Sequence, residues 1–157
     1  MRTNKALILL LGSFSFVVGS SIDANSVAAS CILHCKGDST PYPNPDYIKT
    51  ANGCGSKGIT IDAALLPKPQ MELCCDAHDY CYDTCNNAKS TCDTVFKNCL
   101  LEVCGPGLDI KSIYCKATAD LFYDIVKEIG CSSFTDAQKN TCLCPSALKI
   151  SSAMNFV

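Results

Sequence analysis

One histidine and three aspartates lie among four cysteines in the segment from Cys74 to Cys85. His78 belongs to this segment, and Asp93 lies in the next segment that carries cysteines. A histidine held by a carboxylate is a general base with a fixed tautomer, suited to taking a proton from water or a hydroxyl near neutral pH. The chemistry of His78 therefore depends on elements that bring Asp93 to its ring.

The cysteine spacing predicts such elements. Cys74 and Cys81 are seven residues apart, and Cys92 and Cys99 have the same spacing. Seven residues make two helical turns, so each pair lies on one helix face. Paired residues of an antiparallel hairpin have a constant sum of numbers, and Cys74 with Cys99 has the same sum as Cys81 with Cys92. One register therefore satisfies both bridges.

The same register predicts the geometry of the base. It places Tyr80 level with Asp93, so that Asp93 lies about half a turn from His78 across the helix pair. Asp79 points about 100° away from His78 around its helix and is available to hold another group.

A glycine-rich turn at residues 52–58 precedes this helix pair. Its bare backbone can aim carbonyl oxygens inward. A carboxylate with converging carbonyls is the ligand chemistry of calcium, so the turn and Asp79 together predict a calcium site.

Three motifs resemble those of secreted phospholipases A2. They are Cys-Cys-x-x-His-Asp-x-Cys-Tyr at residues 74–82, Gly-Cys-Gly at 53–55 and Cys-Asp-x5-Cys at 92–99. Within that superfamily the chain is most similar to group XII. That similarity lies in Pro-Tyr-Pro-Asn-Pro at 41–45, Cys-Tyr-x-Thr-Cys at 81–85 and Leu-Phe-Tyr-Asp at 121–124 before Gly130-Cys131. The resemblance spans residues 31–144.

The resemblance implies a role for each residue of the base. His78 would be the catalytic base, Asp93 its orienting partner, and Tyr82 a support for Asp93. The implied reaction is calcium-dependent hydrolysis of the sn-2 ester of a glycerophospholipid at a membrane or micelle surface, releasing a fatty acid and a lysophospholipid.

The resemblance also implies the calcium ligands. Asp79 would supply the carboxylate, and Gly53, Gly55 and Lys57 would supply backbone carbonyls. The amide of Gly55 would help to stabilise the oxyanion. The commoner secreted enzymes have glycine at the position of Lys57 and an aromatic residue at that of Gly53.

Three other functions compete with catalysis. A silent relative would keep the scaffold and bind lipid or a receptor, and an inhibitor or toxin-like scaffold would only present loops. A zinc module would need free thiols, and His34 beside Cys35 is the pattern that suggests it. We interpret His34 as a solvated loop residue, because cysteines are mostly bridged in an oxidising compartment.

The composition is that of a disulfide-rich secreted protein. The chain has 157 residues, 14 cysteines and no tryptophan, which fits one domain. Its formal net charge is −2 and its lysines are scattered, so a nucleic-acid partner is not expected. We expect a monomer.

The N-terminus predicts secretion. Arg2 and Lys5 precede an apolar run from Ala6 to Gly19, shorter than the ~20 residues that span a bilayer. We expect a signal peptide over about residues 1–20 and one phospholipase A2-like domain over 21–157, with a frayed tail from about 147. The alternative is a retained anchor, and no other window is apolar enough for an integral membrane protein.

The expected fold is mainly α, a small disulfide-rich domain built on the bridged antiparallel helix pair, with the calcium loop and a third helix. The helices are expected at residues 71–85, 91–104 with Thr91 as N-cap, and 109–129. Residues 59–70 form either a short strand or an irregular connector. On the third helix the residues expected on the core side are Ile110, Ile113, Ala117, Leu121, Phe122, Ile125 and Ile129.

The resemblance adds a Cys54–Cys75 bridge to the two derived from the register. The partners of the other eight cysteines stay open, because sequence alone does not set connectivity.

Overall fold

The computed structural model describes residues 31–56 and 59–145. Within these ranges it has four α-helices, two small antiparallel sheets and two short 3-10 turns. The helices are α1 (Met71–Tyr82), α2 (Lys89–Cys104), α3 (Ile110–Ile129) and α4 (Cys131–Thr141). The strands are β1 (Tyr42–Pro43), β2 (Cys54–Ser56), β3 (Ile59–Ile61) and β4 (Cys142–Leu143). The expected signal peptide and frayed tail lie outside the described residues.

The helix pair has the predicted register. Cys74 is bonded to Cys99 and Cys81 to Cys92, so both bridges between α1 and α2 are confirmed. The bridge implied by the resemblance, Cys54 to Cys75, is also present and attaches β2 to α1. The mainly helical, disulfide-rich fold is therefore as expected.

Four further disulfides join the remaining segments to one another and to the ends of this pair. Every cysteine of the sequence lies in the described ranges, and none is free. A zinc module built on thiolates therefore has no thiol available. The four bonds are Cys31–Cys131, Cys35–Cys144, Cys85–Cys142 and Cys104–Cys115.

A small core lies where α1, α2 and α3 meet. Its largest fully buried side chains are Met71 and Leu100, and Phe96 packs in the same cluster. Several other members are half-cystines, including Cys74, which pack as compact apolar groups. A core of this size gives limited stability, so the disulfides are a substantial part of what holds the helices together.

The residues before α1 combine a strand and a connector. β3 pairs with β2, with Cys54 opposite Ile61, and a 3-10 turn at Ala63–Leu65 follows. Residues 59–70 thus contain both predicted features, a short strand at Ile59–Ile61 and an irregular connector after it.

The first helix ends earlier than predicted, at Tyr82 and not at Cys85. Two side chains of α4 satisfy backbone carbonyls at this end. Gln138 Nε2 donates to the Tyr82 carbonyl at 2.7 Å, and Thr141 Oγ1 donates to the Asp83 carbonyl at 2.8 Å. These bonds replace the helical ones that a longer α1 would have made. Helix α4 itself was not predicted.

The second helix begins earlier than predicted, so the assignment of Thr91 as N-cap is wrong. α2 starts at Lys89, Ala88 is its N-cap, and the Thr91 amide already donates to the Ala88 carbonyl at 3.0 Å. The ends around the next turn agree with the sequence. Gly105 closes α2 with a positive φ of 76°, and the Asp109 side chain caps α3.

The core side of α3 was predicted incorrectly. Ile110 is 85% exposed and Ile129 72% exposed, while Cys115 and Ala119 are fully buried. The buried stripe follows these small residues because they allow close approach to α2, and Phe122 and Val126 pack partly against the same core. The large residues of the expected core face that are exposed are Ile110, Ile113, Leu121, Ile125 and Ile129. No described helix is both long and apolar enough to cross a membrane.

The core predicts unequal costs for two truncations on α2. Leu100→Ala should lower the free energy of unfolding by about 2–5 kcal/mol, because it leaves a cavity at a residue that is 0% exposed. Val95→Ala, at a residue 56% exposed, should change it by less than about 0.5 kcal/mol. Denaturant unfolding with the disulfides intact measures both values, and similar costs would contradict this placement of the core.

Candidate active site

His78 contacts Asp93 as the register predicts. Its Nε2 lies 2.9 Å from Asp93 Oδ1, between neighbouring faces of α1 and α2. Both side chains are buried, and Phe96 stacks on the imidazole with ring centroids 4.5 Å apart. An ionised carboxylate only accepts hydrogen bonds, so Nε2 carries the proton and Nδ1 keeps its lone pair. Nδ1 is therefore the basic atom of the ring.

Three donors converge on Asp93. His78 and Tyr82 share Oδ1, with the Tyr82 hydroxyl at 2.6 Å, and Lys89 Nζ donates to Oδ2 at 2.6 Å. Burial by itself raises the pKa of Asp93, but the bonds from His78, Lys89 and Tyr82 outweigh it and hold the pKa below its usual value. Burial and the carboxylate together raise the pKa of Tyr82. Asp93 is thus ionised and Tyr82 is a neutral donor.

Lys89 was missed by the sequence reasoning. It lies four residues before Asp93, a spacing at which side chains meet on a helix. A helix that begins at Thr91 excludes position 89, so the four-residue spacing of Lys89 and Asp93 does not predict a contact. A helix start at Lys89 would have revealed the pair.

Asp79 lies against the start of the glycine-rich turn. Its Oδ2 accepts a hydrogen bond from the Asn52 amide at 3.0 Å. Partial burial raises the pKa of this carboxyl, although the Asn52 bond and the neighbouring His78 pull it down. The carboxylate therefore lies beside the predicted loop but points around α1 away from Asp93.

Gly53 occupies a position that suits only glycine. Its φ is 76°, and a Cβ there would lie 3.1 Å from Glu72 Oε1. Its amide donates to Asp76 Oδ1 at 3.0 Å. The positive φ favours glycine at this point of the chain.

A third carboxylate, at the C-cap of α1, holds the same strap of chain, residues 50–53. The buried Asp83 accepts from the Tyr47 hydroxyl at 2.8 Å and from the Thr50 amide at 3.0 Å with Oδ2. Asp76, Asp79 and Asp83 therefore bind residues 50–53 along one face of α1, by backbone amides. Sequence reasoning had assigned only Asp79, although the spacing of all three is helical.

Of the two remaining predicted loop ligands, Gly55 and Lys57, the structure describes one. Gly55 lies in β2 opposite Thr60 and is exposed. Lys57 lies outside the described residues. No cluster of three or more His, Cys, Asp or Glu side chains that would hold a metal occurs among the described residues.

The residues present nevertheless fit calcium. The Asp79 carboxylate supplies oxygen donors beside the start of the turn, and hard cations such as calcium prefer oxygen ligands. The Asn52–Asp79 bond holds the turn next to the carboxylate. Calcium fits this donor set better than zinc does, because no thiolate or imidazole joins it.

A cavity of about 910 Å³ lies beside the Asp93 end of the pair. Asp93 and Lys89 line it together with Tyr123 of α3 and Phe134 of α4. A smaller groove of about 360 Å³ runs between the turn after β3 and α3, with Leu65, Tyr114 and Leu121 in its wall. The apolar residues of α3 thus line surface grooves more than the core.

The chain matches known proteins over most of its length. Residues 13–150 match a family model described as group XII secretory phospholipase A2 precursor. The chain is 34% identical over 122 residues to group XIIA secretory phospholipase A2 of Homo sapiens, covering 73% of this chain and 63% of the relative. It is 33% identical over 127 residues to group XIIB secretory phospholipase A2-like protein of Mus musculus, covering 73% and 64%. The chain thus spans somewhat less than two thirds of these relatives' length. No solved structure matches it.

The two aspartates beside His78 should affect stability with opposite signs. The pKa of Asp93 is lowered by folding, so its ionised form stabilises the fold above the unfolded pKa of about 3.9, and the gain is lost as the pH falls through the folded value. The pKa of Asp79 is raised, so its ionised form costs stability at neutral pH, and the cost disappears on acidification.

Asp93→Asn should therefore destabilise the calcium-free protein at pH 7 by about 1.5–3 kcal/mol, the loss of charge-assisted hydrogen bonds. Asp79→Asn, which exchanges the same groups one residue from His78, should leave stability equal or higher. Unfolding in EDTA between pH 3 and pH 8 measures both effects. Equal destabilisation by the two variants, or a gap that does not narrow in acid, would contradict these charge states.

Proposed function

The chain belongs to the group XII secretory phospholipase A2 family, and on that premise we propose that it hydrolyses the sn-2 ester of glycerophospholipids with the aid of calcium. The substrate would be a phospholipid at a membrane or micelle surface. The products would be a fatty acid and a lysophospholipid. The observation that carries this proposal is the buried contact of His78 Nε2 with Asp93 Oδ1 at 2.9 Å.

The dyad of His78 and Asp93 supports a general-base mechanism. His78 Nδ1 accepts a proton from water as that water attacks the ester carbonyl, and the ring becomes an imidazolium. Asp93 stabilises this charge and prevents the ring from rotating. The proton then passes to the departing lysophospholipid oxygen, and no covalent enzyme intermediate is required.

The neighbouring side chains restrict the ring further. Phe96 stacks on one face of the His78 imidazole, and Tyr82 lies against it with ring centroids 4.2 Å apart. Tyr82 also donates to the same oxygen of Asp93 as His78 does. A base held on several sides loses little orientational entropy when it reacts.

Asp79 and the carbonyls of Gly53, Gly55 and Lys57 are the residues that we propose hold calcium. When bound, the ion supplies a positive charge for the substrate phosphate and for the oxyanion that develops on the ester. The amide of Gly55, an exposed residue of β2, is proposed as a second donor to that oxyanion. Asp76 and Asp83 keep the preceding residues in place.

Extracellular action is part of the proposal. All 14 cysteines form disulfides, which persist in oxidising compartments. The family is described as secretory. An N-terminal signal peptide over about residues 1–20 would provide the route, and a monomer would suffice for the chemistry.

A silent lipid-binding or receptor-binding protein is the second candidate. The relative named a phospholipase A2-like protein shows that similar chains are not all named as enzymes. In this chain His78, Asp93 and Tyr82 are present and in contact, which favours catalysis. Fatty-acid release from vesicles distinguishes the two functions.

His78→Gln should abolish hydrolysis and preserve the fold. Glutamine keeps much of the shape but cannot act as a base, so we expect a rate loss of at least about 100-fold. The assay is fatty-acid release by oxidised full chain from mixed phospholipid vesicles, in calcium and in EDTA. Calcium binding and the helical circular-dichroism signal should not change. Equal rates for the variant and the wild type would place the chemistry elsewhere.

Asp79→Lys should remove calcium binding and activity, because it puts a cation where the ion's only assigned carboxylate stands. Glu102→Lys makes the same charge change on an exposed residue of α2 and serves as the control. Calorimetric titration with calcium measures binding without reference to activity. Unchanged binding by Asp79→Lys would show that the ligand assignment is wrong, and loss of binding in both variants would indicate a general charge effect.

A further inference from the structure

Lys89 makes two short hydrogen bonds that join α2 to α3. Its Nζ lies 2.6 Å from Asp93 Oδ2 and 2.6 Å from the Val126 carbonyl oxygen. The side chain is only 12% exposed. An exposed i,i+4 ion pair on a helix contributes little stability, but this pair is largely buried and includes a third group from another helix.

The donors divide the two oxygens of Asp93 between them. His78 and Tyr82 both use Oδ1, and Lys89 uses Oδ2. The torsion that rotates a carboxylate has broad minima, so the side chain alone does not decide which oxygen faces the imidazole. The ammonium group on the far oxygen fixes that rotation, and it does so at a carboxylate that is only 3% exposed.

Lys89 also balances a charge that the site needs. An isolated buried carboxylate would be costly, and the nearby ammonium lowers that cost. Asp93 thus has a cationic partner on Oδ2 in addition to the imidazole on Oδ1.

The second acceptor of Lys89 connects the site to the end of α3. Val126 lies in the last turn of that helix, where the carbonyls carry partial negative charge and attract cations. Gly130 is the C-cap of α3, and the space around its α-carbon is too small for a side chain. A Cβ on Gly130 would overlap the Val126 carbonyl and lie 3.2 Å from the Tyr82 hydroxyl. The end of α3 therefore adjoins both Lys89 and Tyr82.

We propose that Lys89 is a positioning residue for the base: it fixes the rotation of the Asp93 carboxylate, and through it the imidazole of His78, and anchors both to the C-terminal end of α3. The two acceptors of the Lys89 ammonium at 2.6 Å are both protein groups, Asp93 Oδ2 and the Val126 carbonyl. The inference deepens the proposed hydrolase function and rests on it.

Steady-state kinetics on vesicles test the role in catalysis. Lys89→Met keeps the length and apolar stem of lysine without its charge, and we expect kcat to fall about tenfold because the base is misplaced. The calcium affinity should not change, and the KM for phospholipid should change much less than kcat, because both short bonds of Lys89 go to protein groups and the residue acts through Asp93. Lys97→Met is the matched control, a lysine of the same helix paired with an exposed carboxylate, Asp120, at 2.9 Å. That variant should keep the wild-type kcat.

A spectroscopic measurement separates this inference from the proposed function. The Nε2 proton of His78, bonded to a carboxylate, should give a downfield resonance in ¹⁵N-labelled protein at fixed neutral pH. Lys89→Met should shift this resonance upfield or broaden it by exchange, and Lys97→Met should leave it unchanged. A wild-type protein without hydrolysis would refute the proposed function, while the resonance would still test the positioning role.

The results that would overturn the inference are distinct. A normal kcat and resonance in Lys89→Met would show that Lys89 does not position the base, and so would a rise in KM with kcat unchanged. If Lys89→Met does not fold, Lys89→Gln replaces it, with a neutral donor of nearly the same reach and an intermediate loss expected. Failure of both variants to fold would make Lys89 a determinant of the fold alone and would also overturn the proposal.

Discussion

The hydrogen bond between His78 and Asp93 is the interaction on which the rest of the structure depends. It joins two helices, and it requires a carboxylate that is buried, ionised and oriented. Burial opposes ionisation, so the protein must supply donors to Asp93 from several directions. Tyr82 comes from the helix of His78, and Lys89 comes from the helix of Asp93 itself. Asp93 is therefore held both from the opposite helix and from its own helix.

Disulfides provide the precision that the small core cannot. Cys74–Cys99 and Cys81–Cys92 lie on either side of the His78 level and prevent α1 from sliding along α2. A slip of one turn would move the carboxylate by about 5.4 Å and break its bond to the ring. The apolar core around Met71 and Leu100 resists separation of the helices but discriminates poorly between neighbouring registers. The disulfides thus set the register of the two helices, and the apolar packing keeps the helices together.

The sequence predicted the parts whose geometry follows from one helical period. The register of α1 and α2, and with it the contact of His78 with Asp93, needed only the cysteine numbers and the pitch of a helix. Features that depend on tertiary partners were not predictable in this way. The end of α1 is decided by Gln138 and Thr141, which belong to α4. The start of α2 includes Lys89, whose acceptor Val126 belongs to α3. The predicted buried face of α3 was wrong because it followed the large apolar side chains. The residues that are buried in the core are the small ones, Cys115 and Ala119.

Helix α1 has two working faces, and their separation explains how base and loop coexist. One face presents Cys74, His78 and Cys81 to α2, where bridges and the dyad form. The other presents Asp76, Asp79 and Asp83, each of which accepts a backbone amide from residues 50–53. Three like charges on one face would repel one another, and the amides of the strap reduce that repulsion by solvating them in place of water. The middle carboxylate, Asp79, is partly buried, and this burial raises its pKa because it disfavours the charged form. An ion bound at Asp79 would thus relieve a cost already present in the fold, while the flanking Asp76 and Asp83 keep the loop beside it.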